Sequence, residues 1–349
     1  MFVHSIGLAA FAGLTASSPT LKRQASIDDF VATEYQIALD GALANIGGTN
    51  NSIVSSSGAL PGVVVASPST TNPDYFYTWV RDSSLTYTMI IDELVFGNRS
   101  FQITIEDFQD SQAVLQTVTN PSGSFWPAGL GLGEPKFYTN ETRFNGVWGR
   151  PQRDGPALRA TAFLNLADYI IGINRTNVVQ TIFWPLILND LKYVGQYWNQ
   201  TGYDLWEEVH GSSLFTYAAQ HRALVQGSII AERLGFPCEP CQQAPEILCF
   251  LQNNYWNQSG NYLTANVNVN NAARSGINAD PILSSIANFD INGTCDSIGE
   301  FLHTRSWPHT DPSQASNHVH LRCWQRIKYS STRSATSTQL TRTSKLPTP

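Results

Sequence analysis

Apolar residues recur along this sequence at steps of three and four, and this spacing limits the chain to a mainly helical fold. One apolar stripe runs from Leu158 to Ile170 and a second runs from Trp184 to Trp198. Residues at these steps lie on one face of an α-helix, where they can be buried together. Among the other stretches, Gly62–Ser67, with three consecutive valines, is the one typical of a strand. We therefore predict an all-α fold.

Capping and breaking residues set the limits of the predicted helices. Ser26 is a suitable N-cap for the first helix, and Ser212 or Ser213 can cap a later helix that Gly235 ends. The predicted helices cover about 26–47, 82–94, 104–118, 156–170, 184–198, 213–235 and 244–253. A loop rich in Gly, Pro and aromatic residues covers 121–153. Because so long a loop is uncommon in a folded domain, we expect it to be functional.

The composition excludes one class of partner and favours another. The formal net charge is −6 and the pI is about 5.6, so nucleic acid is not the expected partner. Aromatic residues make up 11% of the chain. Trp and Tyr rings offer apolar faces to sugars, although core packing also uses them. We expect a monomer that uses no cofactor and no metal.

The N-terminus has the pattern of an export signal. An apolar run from Ile6 to Leu14 is followed by small residues, and the dibasic pair Lys22–Arg23 comes after it. We expect a signal peptide at 1–18, a propeptide at 19–23, and a secreted, extracellular protein without a membrane span. Seven glycosylation sequons agree with this address, at Asn50, Asn98, Asn140, Asn174, Asn199, Asn257 and Asn292.

Five cysteines are an odd number for a secreted chain. Cys238 and Cys241 have a spacing that suits either a local disulfide or two metal ligands, and the disulfide is favoured because no second C-x-x-C or paired His lies nearby. An odd total leaves at least one of Cys249, Cys295 and Cys323 without an internal partner. It is a first indication that the chain is incomplete.

The composition changes near Phe301. From there to Pro349 there are seven Lys or Arg residues against one acid, Asp311, and the helical period is lost. We expect 301–349 to be a disordered tail unrelated to the domain at 24–300. A shifted reading frame, a missed splice or a wrong gene model would explain it, and binding of nucleic acid by a basic tail is the weaker alternative.

Two adjacent glutamates stand beside a tryptophan in Tyr203–Glu208, with Asp204 just upstream. Charged residues make up 14% of the chain, so this density of carboxylates is unusual. Neighbouring carboxyls push each other's proton affinities apart, as a group that protonates a glycosidic oxygen requires. The alternative is the solvated start of a helix, where Glu is favoured by the helix dipole.

Five stretches, taken together and in this order, closely resemble fungal glucoamylases, the inverting glucan 1,4-α-glucosidases of glycoside hydrolase family 15. They are Asn72–Asp82, Gly131–Phe137, Trp148–Pro156, Tyr203–Glu208 and Ala244–Cys249. The resemblance runs from about Ile27 to about Asp296. It implies an (α/α)6 barrel, here lacking its later helices, and a substrate class of starch and maltooligosaccharides, from which glucose is released at non-reducing ends.

The resemblance also implies a role for particular side chains. Glu207 matches the family's general acid, and Asp204 matches an acid implicated in the electrostatics of the site, sometimes described as the proton acceptor. Glu208 matches a ligand of the second sugar. Arg81 and Asp82 match the pair that binds hydroxyls of the terminal glucose.

Four aromatic residues match the walls of the family's pocket, namely Tyr75, Trp79, Trp148 and Trp206. Taken singly, each would more often belong to a core, and Arg81–Asp82 would more often be an ion pair at a helix start. Arg153–Asp154 is expected to position a loop.

One chemical component is missing from the resemblance. Inversion requires a second carboxylate that activates water, and the later acids Glu300 and Asp311 have no family-like context. The sequence therefore also fits an inactive, glucan-binding fragment. A disulfide-linked secreted protein with no role in sugar chemistry is a third alternative.

Overall fold

The computed structural model describes residues 26–271 and 274–288, which are mostly helical. The expected signal peptide, propeptide and tail lie outside these residues. The helices are α1 (Ile27–Ala44), α2 (Val80–Val95), α3 (Gln102–Thr117), α4 (Asp154–Gly172), α5 (Thr176–Val178), α6 (Trp184–Tyr197), α7 (Leu214–Leu234), α8 (Ala244–Asn254) and α9 (Asp280–Asn288). A π-helical turn, Val179–Phe183, joins α5 to α6. The predicted all-α class is confirmed, whereas α9 is a helix that the apolar pattern does not predict.

Two of the predicted N-caps are present in the structure. Ser26 Oγ accepts a hydrogen bond from Asp29 N (3.1 Å) at the start of α1. Ser213 Oγ accepts from Thr216 N at the start of α7, and Gly235 ends α7 in the left-handed conformation at φ = 72°. These side chains satisfy backbone groups that a helix end leaves unpaired, which fixes where each helix starts and stops. The chain divides into two units by internal contacts, one ending at Gly41 and one beginning at Ala42.

Helix α4 is the centre of the second unit. It packs against α2, α6 and α7, and α7 in turn packs against α8 and α9. The stripe predicted on α4 is buried at Leu158, Ala162 and Leu166, and Ile170 is half-buried. Because its neighbours surround it, α4 is buried on nearly all sides over its first three turns, from Asp154 to Leu164.

A buried ion pair joins α4 to α6. Arg159 donates to both carboxylate oxygens of Asp190, from Nη2 (2.6 Å) and Nε (2.8 Å). The amides of Gln112 and Gln116 on α3 complete the network, with Gln116 Nε2 donating to Asp190 Oδ2 (3.1 Å). Both charged side chains are at most 2% exposed. A fully paired charge can be accommodated in a core, whereas an unpaired one is very costly.

The strands of the structure are short antiparallel pieces in the loops. Strand β1 (Tyr77–Trp79) pairs with β2 (Lys136–Tyr138), with Thr78 opposite Phe137. Strand β4 (His210–Ser213) lies between β3 (Gly202–Tyr203) and β7 (Asn266–Val267), and β5 (Trp256–Asn257) pairs with β6 (Tyr262–Leu263). Runs of two to four residues are too short to show a period in the sequence.

The strand predicted at Gly62–Ser67 is wrong. Val63, Val64 and Val65 are all buried, but this segment forms no ladder with another strand. The backbone N–H of Val65 donates to Asn45 O, that of Ala66 donates to Tyr77 O, and Val64 makes one isolated bridge to Ile46. The valines are therefore buried as an irregular segment whose backbone groups find scattered partners.

The disulfide between Cys238 and Cys241 is present. The two cysteines therefore form the predicted disulfide and are not a pair of metal ligands. It lies between α7 and α8, next to the helical turn Pro240–Gln243. Within 26–271 and 274–288, no helix combines the length and the apolar character that crossing a membrane requires.

Candidate active site

The first turns of four helices meet at one end of the second unit. Arg81 in the first turn of α2 contacts Asp154, the first residue of α4. Asp280, the first residue of α9, accepts hydrogen bonds from Ser213 Oγ (2.9 Å) and Phe215 N (3.0 Å) at the start of α7. Because helix N-termini carry partial positive charge, they offset part of the cost of burying carboxylates at this end of the unit.

A tight turn before β4 presents Glu207. The N–H of Glu207 donates to Asp204 O (2.9 Å). Glu207 has φ = 62°, in the left-handed region that non-glycine residues seldom adopt. Such a conformation costs on the order of 1–3 kcal/mol and persists where the surroundings enforce it, often at functional sites.

The Asp204 carboxylate holds this turn through hydrogen bonds with its backbone. It is fully buried, and its Oδ1 accepts from the backbone N–H groups of Glu208 and Val209 (both 3.1 Å). Its Oδ2 accepts from Asn266 Nδ2 (3.3 Å) on β7. A carboxylate with these partners fixes the backbone on both sides of Glu207.

The Glu207 carboxyl is held through one of its two oxygens. Oε1 accepts from Trp79 Nε1 (2.6 Å) and Gln152 Nε2 (2.8 Å), and Arg81 Nη2 lies 3.6 Å away. Within the described part of the chain, Oε2 has no hydrogen-bond partner. The carboxyl is thus anchored at one oxygen and open at the other.

Arg81 connects the acidic groups of the site. Its Nη1 donates to Gln152 Oε1 (2.8 Å) and Asp154 Oδ2 (2.9 Å), and its Nε lies 3.7 Å from Asp82 Oδ1. Burial raises the pKa of the Asp82 carboxyl above its ordinary value, the charge of Arg81 acts in the opposite direction, and the charges of Glu207 and Asp154 add to the rise.

A cavity of about 630 Å³ opens at these residues. Six of the nine site residues predicted from the sequence share its lining, namely Tyr75, Trp79, Arg81, Asp82, Trp206 and Glu207. Leu283, Ile286 and Ala287 of α9 line it as well. The cavity combines aromatic faces with a few charged groups, which is the usual composition of a small-molecule site.

Trp148 lies behind this lining. Its ring packs edge-on against Trp79, with centroids 5.8 Å apart, so it is one side chain removed from Glu207. Its Nε1 is buried and, within the described residues, has no hydrogen-bond partner. Because Trp148 and Glu207 both contact Trp79, they belong to one cluster.

Lys136 fills a box of four aromatic rings. Its Nζ lies 3.6 Å from the ring centroid of Trp148, with Tyr77, Phe144 and Trp79 at 3.9, 4.4 and 4.7 Å. Burial lowers the pKa of Lys136 to about 8, and the charge of Glu207 acts in the opposite direction. Cation–π attraction therefore orders the rings behind the cavity.

Glu208 is absent from the cavity lining. Its Oε2 is 3.0 Å from Arg274 Nη2, and the Glu208 side chain is 62% exposed. Asn271 Nδ2 donates to its backbone carbonyl. The structure thus places Glu208 at the surface beside the site, and its predicted contact with a second sugar stays a prediction.

Sequence reasoning does not single out Gln152 or Lys136, although both lie in the stretches that carry the resemblance. It predicts that Arg153 and Asp154 position a loop. Arg153 does so, since it donates to Thr201 O (3.0 Å) and Tyr193 Oη (2.9 Å). Asp154 instead pairs with Arg81. Side-chain partners so distant in sequence leave no local signal.

Comparison with known proteins gives one consistent result. Residues 36–316 match the family described as glycosyl hydrolases family 15. Glucoamylase P of Amorphotheca resinae is 54% identical over 290 residues, which cover 83% of this chain and 46% of that protein. The glucoamylase of Neurospora crassa is 47% identical over 281 residues, covering 80% of this chain and 43% of that protein.

Solved structures agree. The glucoamylase of Hormoconis resinae superimposes with a TM-score of 0.72 at 56% identity, covering 77% of this chain and 44% of that one. The family 15 glucoamylase of Hypocrea jecorina gives 0.73 at 47% identity, covering 79% and 45%. This likeness confirms the predicted (α/α)6-barrel type, of which the described helices form a part. The chain spans less than half the length of these relatives.

Proposed function

Because the chain belongs to glycosyl hydrolases family 15, we propose that it is a secreted starch hydrolase that releases glucose from the non-reducing ends of α-1,4-glucans with inversion. Glu207 acts as the general acid. The observation that carries this proposal is the Glu207 carboxyl, anchored through Oε1 and open at Oε2 in a cavity lined by Tyr75, Trp79 and Trp206. A general acid needs a fixed carboxyl with one oxygen free to transfer a proton.

Binding of the terminal glucose is assigned to Arg81, Asp82 and the aromatic residues. Asp82 lies in the cavity lining with its side chain 38% exposed, so its carboxyl oxygens are accessible to sugar hydroxyls. Arg81, which already pairs with Asp154, supplies donors beside it. Trp79 and Tyr75, with centroids 6.0 Å apart, offer faces to the apolar C–H side of a sugar ring.

Asp204 is assigned a positioning role in this proposal. Both of its oxygens accept hydrogen bonds and it is absent from the cavity lining. These hydrogen bonds fix the backbone of Glu208 and Val209, next to Glu207, and so help to hold the turn that presents the Glu207 carboxyl.

Inversion requires a second carboxylate about 6.5–9.5 Å from the first, to activate water. By the family resemblance this base is a Glu in the later part of the barrel, and no acid of this sequence stands in a matching context. A protein with a sugar pocket and acid but no such base would bind glucans without turnover. Glucan binding alone is therefore the second candidate function.

The decisive experiment measures glucose release from soluble starch by the full chain and by Glu207→Gln, with acarbose binding followed by calorimetry. We expect the substitution to lower kcat about 10²- to 10⁴-fold and to leave acarbose binding within a few-fold of the unsubstituted protein. Binding without glucose release by the unsubstituted chain would select the second candidate. Loss of binding together with activity in Glu207→Gln would refute the role of Glu207.

A further inference from the structure

The side-chain amide of Gln152 forms hydrogen bonds with both Arg81 and Glu207. The side chain is 1% exposed and comes from the segment between Trp148 and α4. Its Oε1 accepts from Arg81 Nη1 (2.8 Å), and its Nε2 donates to Glu207 Oε1 (2.8 Å) and to Gly149 O (3.1 Å). All the polar atoms of the amide are therefore engaged.

These partners fix the direction of the amide. A rotated amide would place its N–H groups against the Arg81 guanidinium and its oxygen against the carbonyl oxygen of Gly149. Both contacts would be repulsive in a buried place, where unpaired polar groups are costly. Gln152 can therefore only donate to Glu207.

The segment is built so that Gln152 reaches this position. Gly149 carries the carbonyl that accepts the second Nε2 hydrogen. A side-chain carbon at Gly149 would lie 2.8 Å from the ring of Tyr203 and 3.3 Å from Glu207 O. Glycine thus permits close packing of this segment against the Glu207 turn.

We propose that Gln152 is a positioning residue that assigns the acid proton of Glu207 to Oε2. The proposal rests on the general-acid role of Glu207. Two N–H groups, from Gln152 and Trp79, already donate to Oε1. A proton on Oε1 would be repelled by these two donor hydrogens. The proton is held on Oε2.

Gln152 also acts on the rate of the chemical step. When Oε2 gives its proton to the glycosidic oxygen, that oxygen leaves C1 with the bonding electron pair and Glu207 becomes a carboxylate. A water molecule adds to C1 and gives up a proton to the base that inversion requires. The hydrogen bond from Gln152 to Oε1 is stronger to a carboxylate than to a neutral carboxyl. Its contribution therefore appears in kcat and not in KM.

The test compares Gln152→Met and Gln152→Glu with the unsubstituted full chain, using maltose as substrate over a pH range of about 3–8. Gln152→Met removes the donor, so kcat falls about 10- to 100-fold at every pH while KM stays within about two-fold. In Gln152→Glu the introduced carboxyl donates only while protonated. Its kcat is therefore nearly normal at acid pH and falls steeply as pH rises.

Gln112→Met is the matched control. Gln112 is a buried glutamine on α3 whose Oε1 accepts a hydrogen bond from Arg159, and it has no role in the proposed site. It lowers the melting temperature without altering the kcat profile. A Gln152→Met protein with the melting temperature of the unsubstituted chain and unchanged kcat overturns the inference, and so does a rise in KM at constant kcat.

A second measurement separates this inference from the proposed function. Acarbose binding is measured for Gln152→Met, Glu207→Gln and the double variant. If Gln152 acts through Glu207, the double variant binds no more weakly than Glu207→Gln alone, whether or not the chain turns over starch. Additive losses overturn the inference, and a chain with neither glucose release nor acarbose binding overturns both proposals.

Discussion

The Arg159–Asp190 ion pair, together with two glutamine amides, connects the three helices α3, α4 and α6. Each charged group is buried, and each is satisfied by the other and by amides of α3. Pairs of this kind contribute little net stability compared with a well-packed apolar core. Their strong effect appears when one partner is removed.

We expect Arg159→Met to lower the free energy of unfolding by about 3–5 kcal/mol, because Asp190 is left buried without its cation. Urea unfolding followed by circular dichroism measures this. Arg159→Met combined with Asp190→Leu should recover most of the loss. Arg274→Met is the control, since that arginine belongs to an exposed pair worth at most about 1 kcal/mol. Similar losses for both single variants would contradict the argument.

At this scale the sequence predicts what depends on near neighbours. Ser213 as a helix cap and Cys238–Cys241 as a disulfide both follow from residues three positions apart. Gln152 and Arg159 could not be assigned in the same way, because their partners are about 30 to 70 positions away. A contact that folding creates leaves no spacing in the sequence to detect.

Among the elements, α9 has an unusual distribution of polarity. Its polar residues Asp280, Ser284 and Asn288 are buried, whereas Ile282 and Ile286 are exposed. The helix is tied to α7 by Asp280, which also lies near the charges of Asp204 and Asp154. Burial raises the pKa of Asp280 to about 7 from its ordinary 3.8, although the hydrogen bonds from Ser213 and Phe215 act in the opposite direction.

This pKa makes stability depend on pH. Between about pH 4 and pH 7 the folded protein keeps a proton on Asp280 that the unfolded chain has lost. The contribution is therefore fully present below about pH 4 and is lost as pH rises through about 7, by about 4 kcal/mol in total. Asp280→Asn should abolish this decline, measured by urea unfolding at intervals from about pH 4 to about pH 8. Glu239→Gln, at an exposed carboxyl, is the control. A decline that survives in Asp280→Asn would contradict the assignment.

Helix α9 also shows why the sequence predicts some elements and misses others. The apolar face of α4 repeats at four-residue steps, and this repeat alone is enough to identify the helix. In α9 the buried residues at four-residue steps are polar, so a search for an apolar stripe passes over it. In Gly62–Ser67 the valines indicate burial correctly, but no neighbouring strand in the described part of the chain pairs with them.

For the whole molecule, the proposed secretion predicts where glycans attach. Asn140 is exposed, and its Oδ1 accepts from Thr142 of its own sequon. Asn257 is half-buried, and its Nδ2, the atom that would carry a glycan, donates to Tyr262 Oη (3.1 Å). The two sequons are therefore not equivalent.

We expect the chain secreted from a fungal host to lose mass on treatment with an amidase specific for N-linked glycans. Asn140→Gln should remove one step of that mass, and Asn257→Gln should remove none. Intact-protein mass spectrometry measures both. A protein retained in the cells without glycans would contradict the proposed export, and a mass step lost in Asn257→Gln would contradict the distinction between the sites.

Trp79 serves two neighbours at once, since its ring lines the cavity while its N–H holds Glu207 Oε1. A substitution of Trp79 cannot alter the cavity surface without also removing one hydrogen bond to the Glu207 carboxyl. Replacing the indole by a phenyl ring would keep the flat face and lose this hydrogen bond. The cavity surface and the position of the Glu207 carboxyl are thus coupled in a single heterocycle, and substitutions meant to change the cavity surface alone should begin at Tyr75 or Trp206.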